Sequence, residues 1–101
     1  MEKALPLGSI VKLKKGTDKI MILSRGVQLE MDKEINLFDY AGCLYPVGLV
    51  PSQAFYFNRE NIDEVMFEGF VDEDEREFQS LYENWLETEG KDIPKGKVGN
   101  L

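Results

Sequence analysis

The chain opens with alternation. In Ile10-Val11-Lys12-Leu13-Lys14, Val11 and Leu13 fall on one face and Lys12 and Lys14 on the other, the period-two pattern of a half-buried strand. Lys15-Gly16-Thr17-Asp18 supplies a turn, because glycine accepts positive φ and aspartate bonds neighbouring amides. Lys19 to Ser24 follows, and its continuous run Ile20-Met21-Ile22-Leu23 suits a strand covered on both faces. The two segments predict a β-hairpin, with Arg25-Gly26 ending its second strand. Val27 to Leu37 mixes Glu30, Asp32, Lys33 and Glu34 with Leu29, Met31 and Ile35, which fits either a loop or a short exposed strand. Phe38 to Tyr45 reads as a strand crossing a compact sheet, with Gly42 where a side chain would not fit or the strand bends. Tyr45-Pro46-Val47-Gly48 is a turn, since Pro fixes φ and Gly permits a reversal.

Ala54-Phe55-Tyr56-Phe57 is a short strand or extended edge, and Asn58-Arg59-Glu60-Asn61 is turn-like. Residues 62–70 fit two patterns. Ile62, Val65 and Met66 match a helical stripe, whereas Val65, Phe67 and Gly69 keep strand spacing; the β-favouring Val65-Met66-Phe67 and the early Gly69 favour a strand over about 64–69. Phe78, Leu81, Tyr82, Trp85 and Leu86 then fall on one face of a helix. Asp72 is its N-cap, Glu75 the reciprocal partner of a capping box, and Gly90 its stop, which sets a helix over about 73–89. Residues 1–90 form a single β-rich domain, and 91–101, with Pro94, Gly96 and Gly99 and no periodicity, a flexible tail. The expected fold is α+β: a small, strongly curved antiparallel sheet or SH3-like barrel of four to five strands, one end or face covered by the C-terminal helix.

Composition narrows the chemistry. With 101 residues the chain builds one modest core and leaves little room for a large catalytic cavity. It has no histidine, the commonest general base and metal ligand, so Ser-His and Cys-His arrangements are excluded. The single Cys43 rules out an internal disulfide and lies in an apolar stretch that suggests burial. No apolar run reaches the length of a signal peptide's hydrophobic region or a membrane helix, so a cytoplasmic protein is expected.

The net charge of −7 is unevenly spread. Residues 1–57 sum to +1, residues 58–90 to −10, and residues 91–101 to +2. The acidic third would repel nucleic acid, and Lys12, Lys14, Lys15 and Lys19 read as a solvated strand face and turn. The acidic run Asp72 to Glu77 lacks calcium-loop spacing and has the design of a helix start. The glycines form no phosphate-cradling loop, so no cofactor is expected. Aromatic residues offer a binding role instead: Tyr40, Tyr45 and Tyr56 from the strands, and Tyr82 and Trp85 from the helix, are candidate protein contacts.

Several segments together resemble a known family. Leu5-Pro6-Leu7-Gly8-Ser9-Ile10-Val11, Lys19-Ile20-Met21-Ile22, Asp39-Tyr40 with Gly42, Tyr45-Pro46-Val47-Gly48, and Phe67-Glu68-Gly69-Phe70 are similar to domain-of-unknown-function family 4176, over roughly residues 5–87. These are small proteins of Gram-positive bacteria, often encoded near type VII secretion components and large polymorphic toxins. The resemblance brings no catalytic residues and implies an accessory, chaperone or adaptor role with a secreted toxin or secretion component as partner. The expected function is thus a non-catalytic protein-binding accessory module. The alternatives are an immunity-like or regulatory protein acting through its acidic surface, and a small carboxylate-dependent enzyme.

Overall fold

A computed structural model describes residues 3–98. Its elements are β1 (Ile10–Leu13), β2 (Lys19–Met31), β3 (Glu34–Tyr45), β4 (Phe55–Phe57), β5 (Ile62–Phe67) and α1 (Glu73–Glu87), with short 3-10 turns at Pro51–Gln53 and Arg59–Asn61. The strands form one antiparallel sheet in the order β4-β3-β2-β1-β5. The sheet is not closed, so the fold is the curved sheet rather than the barrel of the two architectures expected; β4 and β5 are its edges.

The predicted hairpin forms, with Ile10 opposite Met21 and Lys12 opposite Lys19. Its second strand does not stop at Arg25-Gly26. A register shift between Ile22 and Ser24 and a positive φ of 61° at Gly26 bend β2 and let it run on to Met31. The ambiguous stretch 27–37 is therefore the far half of a long β2–β3 ribbon. Asp32 and Lys33, at φ 52° and 68°, close it by a two-residue turn made without glycine. Residues 62–67 are a strand, which answers the ambiguity at 62–70.

One face of the sheet carries the core: Val11, Ile20, Ile22, Tyr40 and Phe57 pack with Leu5, and Leu13, Phe55, Ile62 and Val98 lie against them. Each large side chain buried there contributes about 2 kcal/mol. Gly42 stands on this face where β3 passes β2. A Cβ there would lie 2.6 Å from the Met21 carbonyl oxygen and 2.7 Å from Ile20 Cγ2, so only glycine lets the strands meet. Cys43 is buried and free.

Helix α1 begins as its sequence dictates, with the Asp72 carboxylate accepting from the Glu75 amide at 3.0 Å. Two expectations for the helix are corrected. Glu75 does not reach back to close a capping box; its carboxylate accepts hydrogen bonds from both terminal nitrogens of the Arg25 guanidinium, one at 2.9 Å. The face turned to the domain centres on Glu75, Gln79, Tyr82 and Leu86, so Leu81 is 63% exposed and Phe78 lies at the rim, stacked under Arg25 with the guanidinium 4.1 Å from its ring. An ion pair and an amide thus hold the sites that an apolar stripe was expected to fill.

The tail also differs from expectation. Residues 94–96 lie along β3: the Leu37 amide donates to the Pro94 carbonyl (2.8 Å), and the Gly96 amide to that of Leu37 (2.8 Å). Asn58 Nδ2 donates to the Gly96 carbonyl at 2.8 Å, and Val98 packs against the core. The expected tail therefore has fixed partners through Val98; its last three residues, 99–101, fall outside the described residues. Backbone pairing needs no side-chain periodicity, which is why the sequence pattern did not show it.

Candidate protein-binding surface

The N-terminal segment shows how the helix is held. The Gln79 side-chain amide pairs with the Ala4 backbone in both directions, accepting from its N–H at 3.2 Å and donating to its carbonyl at 2.6 Å. The Leu5 amide donates to the Tyr40 hydroxyl at 2.9 Å, and Arg25 reaches the Leu5 carbonyl. This strap lies between helix and sheet, so the five candidate contact residues do not form one site.

Tyr40 is 1% exposed and presents no surface to a partner; burial pushes its phenol above the ordinary range, opposed by the Leu5 bond. Tyr82 rests on the backbone of Gly26, where a Cβ would come within 2.6 Å of its ring. Burial, reinforced by Asp39, pushes its phenol up to about 12. Tyr82 therefore keeps its proton at neutral pH and acts only through its ring and as a hydrogen-bonding hydroxyl. Trp85 stacks beyond Tyr82 at 6.3 Å between centroids and is covered by the chain at Gly90. Tyr56 packs beside Phe38 at 5.9 Å. Tyr45 alone of the five is an exposed residue, with Lys19 Nζ 5.9 Å from its ring centre.

Two concavities differ in character. A cleft of about 400 Å³ lies between α1, β3 and residues 90–95 and brings Tyr40 and Tyr82 together with Leu86, Ile93 and Asp39. Its carboxylate Asp39 is engaged: it accepts from the Arg59 amide at 2.9 Å and from Lys95 Nζ at 2.7 Å. The other, an open groove of about 470 Å³, lies on the sheet face opposite the core and is lined by Ile10, Met21, Tyr45, Met66 and Phe67. Phe67, at its edge, is 60% exposed; Phe70, three residues on, is 79% exposed, and Leu7 and Val71 are exposed as well. Val65 is exposed on the other face of the strand, opposite Val11.

The sequence pattern pointed to tyrosines and missed Met66, Phe67 and Phe70. A contiguous run such as Val65-Met66-Phe67 signals a strand, but not whether anything covers it. No group of three or more His, Cys, Asp or Glu side chains among the described residues could hold a metal ion. No described helix is long and apolar enough to cross a membrane.

Against known families, the profile described as Domain of unknown function (DUF4176) matches residues 4–78, which span all five strands and the first turns of α1. The chain belongs to this family. No curated protein and no solved structure matches it. The matched DUF4176 region contains the groove, β5 and Phe70, whereas Tyr82 and Trp85 lie beyond it.

Proposed function

We propose that this DUF4176 protein is a non-catalytic protein-binding accessory module, an adaptor or chaperone for a toxin or secretion component of a type VII system. The observation that carries the reading is the open apolar groove lined by Tyr45, Met66 and Phe67, with the exposed Phe70 three residues further along the chain. A solvent-facing patch of this kind on a small domain marks a surface that another protein covers. The partner class is an expectation that rests on the family resemblance, whose members are often encoded near such toxins.

The test is co-expression of the chain with the toxin and secretion proteins encoded beside it, followed by purification of the complex. A 1:1 or higher-order complex is expected with one of them, and Phe70→Glu should weaken it at least tenfold while leaving the circular dichroism spectrum unchanged. An adaptor raises the toxin's level or export without blocking its activity. A chain that instead neutralises the toxin is the immunity-like protein, a reading favoured by the run from Glu60 to Glu75, which holds eight acidic residues and no basic one.

A further inference from the structure

Strand β5 is an edge strand of unusual composition. It pairs with β1 on one side only, and among the described residues no strand pairs with its other side. Its backbone on that side is a template for another strand. Every residue from Asp63 to Phe67 is exposed, so beyond Ile62 the strand is exposed on both faces as well as along its edge.

The register with β1 skips twice. Phe67 lies opposite Ile10 and Val65 opposite Val11, which leaves Met66 unpaired; Glu64 lies opposite Lys12 and Ile62 opposite Leu13, which leaves Asp63 unpaired. The first irregularity brings the consecutive Met66 and Phe67 to one groove. Bulges and charges are common ways to blunt an edge against indiscriminate pairing. A merely blunted edge, however, has no use for three consecutive exposed apolar residues.

We propose that β5 accepts an extended segment of another protein as a sixth strand, and that the segment carries Lys or Arg alternating with apolar residues. This rests on the protein-binding reading and specifies its site. Charge decides the occupant. The strand and its flanks carry Glu60, Asp63, Glu64 and Glu68, all exposed, with Arg59 the one cation of the segment and Lys12 of β1 opposite Glu64. A second copy pairing antiparallel on β5 would bring Asp63 and Glu64 of each chain into one strand pair, with Glu60 and Glu68 at its ends, and like charges across a strand pair are unfavourable. A basic strand meets the same carboxylates as counter-charges. Its backbone supplies the ladder, its apolar side chains pack beside Met66 and Phe67 at the outer rim of the groove, and its cations reach Asp63 and Glu68.

The test uses an end-capped heptapeptide of alternating lysine and valine as probe, with a glutamate–valine heptapeptide and a lysine–valine peptide interrupted by proline as controls. Amide resonances of residues 62–67 should shift and exchange more slowly with the lysine–valine peptide and with neither control. Asp63→Lys with Glu68→Lys should weaken binding at least fivefold, and so should raising the salt from 50 to 300 mM, by screening. Shifts confined to α1, equal binding of the controls, or a solution dimer joined through β5 would each overturn the proposal. If a native partner binds but ignores Asp63→Lys and Glu68→Lys while Phe70→Glu releases it, the protein-binding reading stands and the β5 site falls. If the peptide occupies β5 but no neighbouring gene product forms a complex, the site stands and the adaptor reading falls.

Discussion

Arg25 and Glu75 are the residues on which the helix depends most. The Arg25 side chain is 5% exposed and that of Glu75 11%, and their bidentate contact is supported by Gln79, which donates to Glu75 at 2.7 Å, and by the ring of Phe78 below. Taking a cation out of water is costly unless its counter-ion comes with it. Removing the carboxylate alone therefore leaves a buried charge without compensation. Glu75→Leu should lower stability by about 3 kcal/mol, whereas Arg25→Met together with Glu75→Leu should recover most of that loss. Urea unfolding of the two variants and the parent measures both changes, and a double variant no more stable than the single one would show that the pair itself contributes net stability.

At the scale of elements, β3 is also held by residues 94–98. Phe38 is buried beneath that segment: a Cβ on Gly96 would fall 2.2 Å from its ring. Removing residues 94–101 should expose Phe38, release the Leu37 amide to hydrogen exchange at least a hundredfold faster, and lower stability by roughly 2 kcal/mol through lost apolar burial. Amide exchange followed by NMR reads the first effect and urea unfolding the second. How much of this was legible follows the kind of interaction. The β1–β2 hairpin, the Pro46 turn, Gly42 and the Asp72 cap were readable, because local chemistry fixes each of them. The length of β2 was not, because a bulge lets the strand pass a glycine that usually stops one. The helix face was misplaced because Gln79 and Glu75, polar by type, are sequestered by partners 75 and 50 residues away in sequence. The candidate surface was half legible: Tyr45 was found from its aromatic character, while Met66 and Phe67 look like core until the sheet order leaves their strand at the edge.

For the molecule as a whole, the charge imbalance and the helix clamp act in opposite senses as pH falls. Arg25 holds the Glu75 carboxyl below its ordinary value of 4.5, with burial opposing and Gln79 assisting. A depressed native value means that the unfolded chain takes up this proton first. The clamp's contribution is complete above about pH 4.5 and is lost as pH falls through the lower native value. Protonating the other acids relieves their mutual repulsion, so the comparison that isolates the clamp is between the parent and the Arg25→Met, Glu75→Leu variant. The parent should lose more stability than the variant between pH 5 and pH 3 in thermal unfolding; parallel curves would contradict the assignment. The same architecture offers a practical handle. From Val27 to the Asp32-Lys33 turn and back to Asn36, the β2–β3 ribbon pairs only with itself, so its tip stands roughly 15 Å clear of the remaining strands. A fluorophore or spin label attached at that tip would report on the tumbling and encounters of the domain from a point remote from both the acidic edge and the buried arginine.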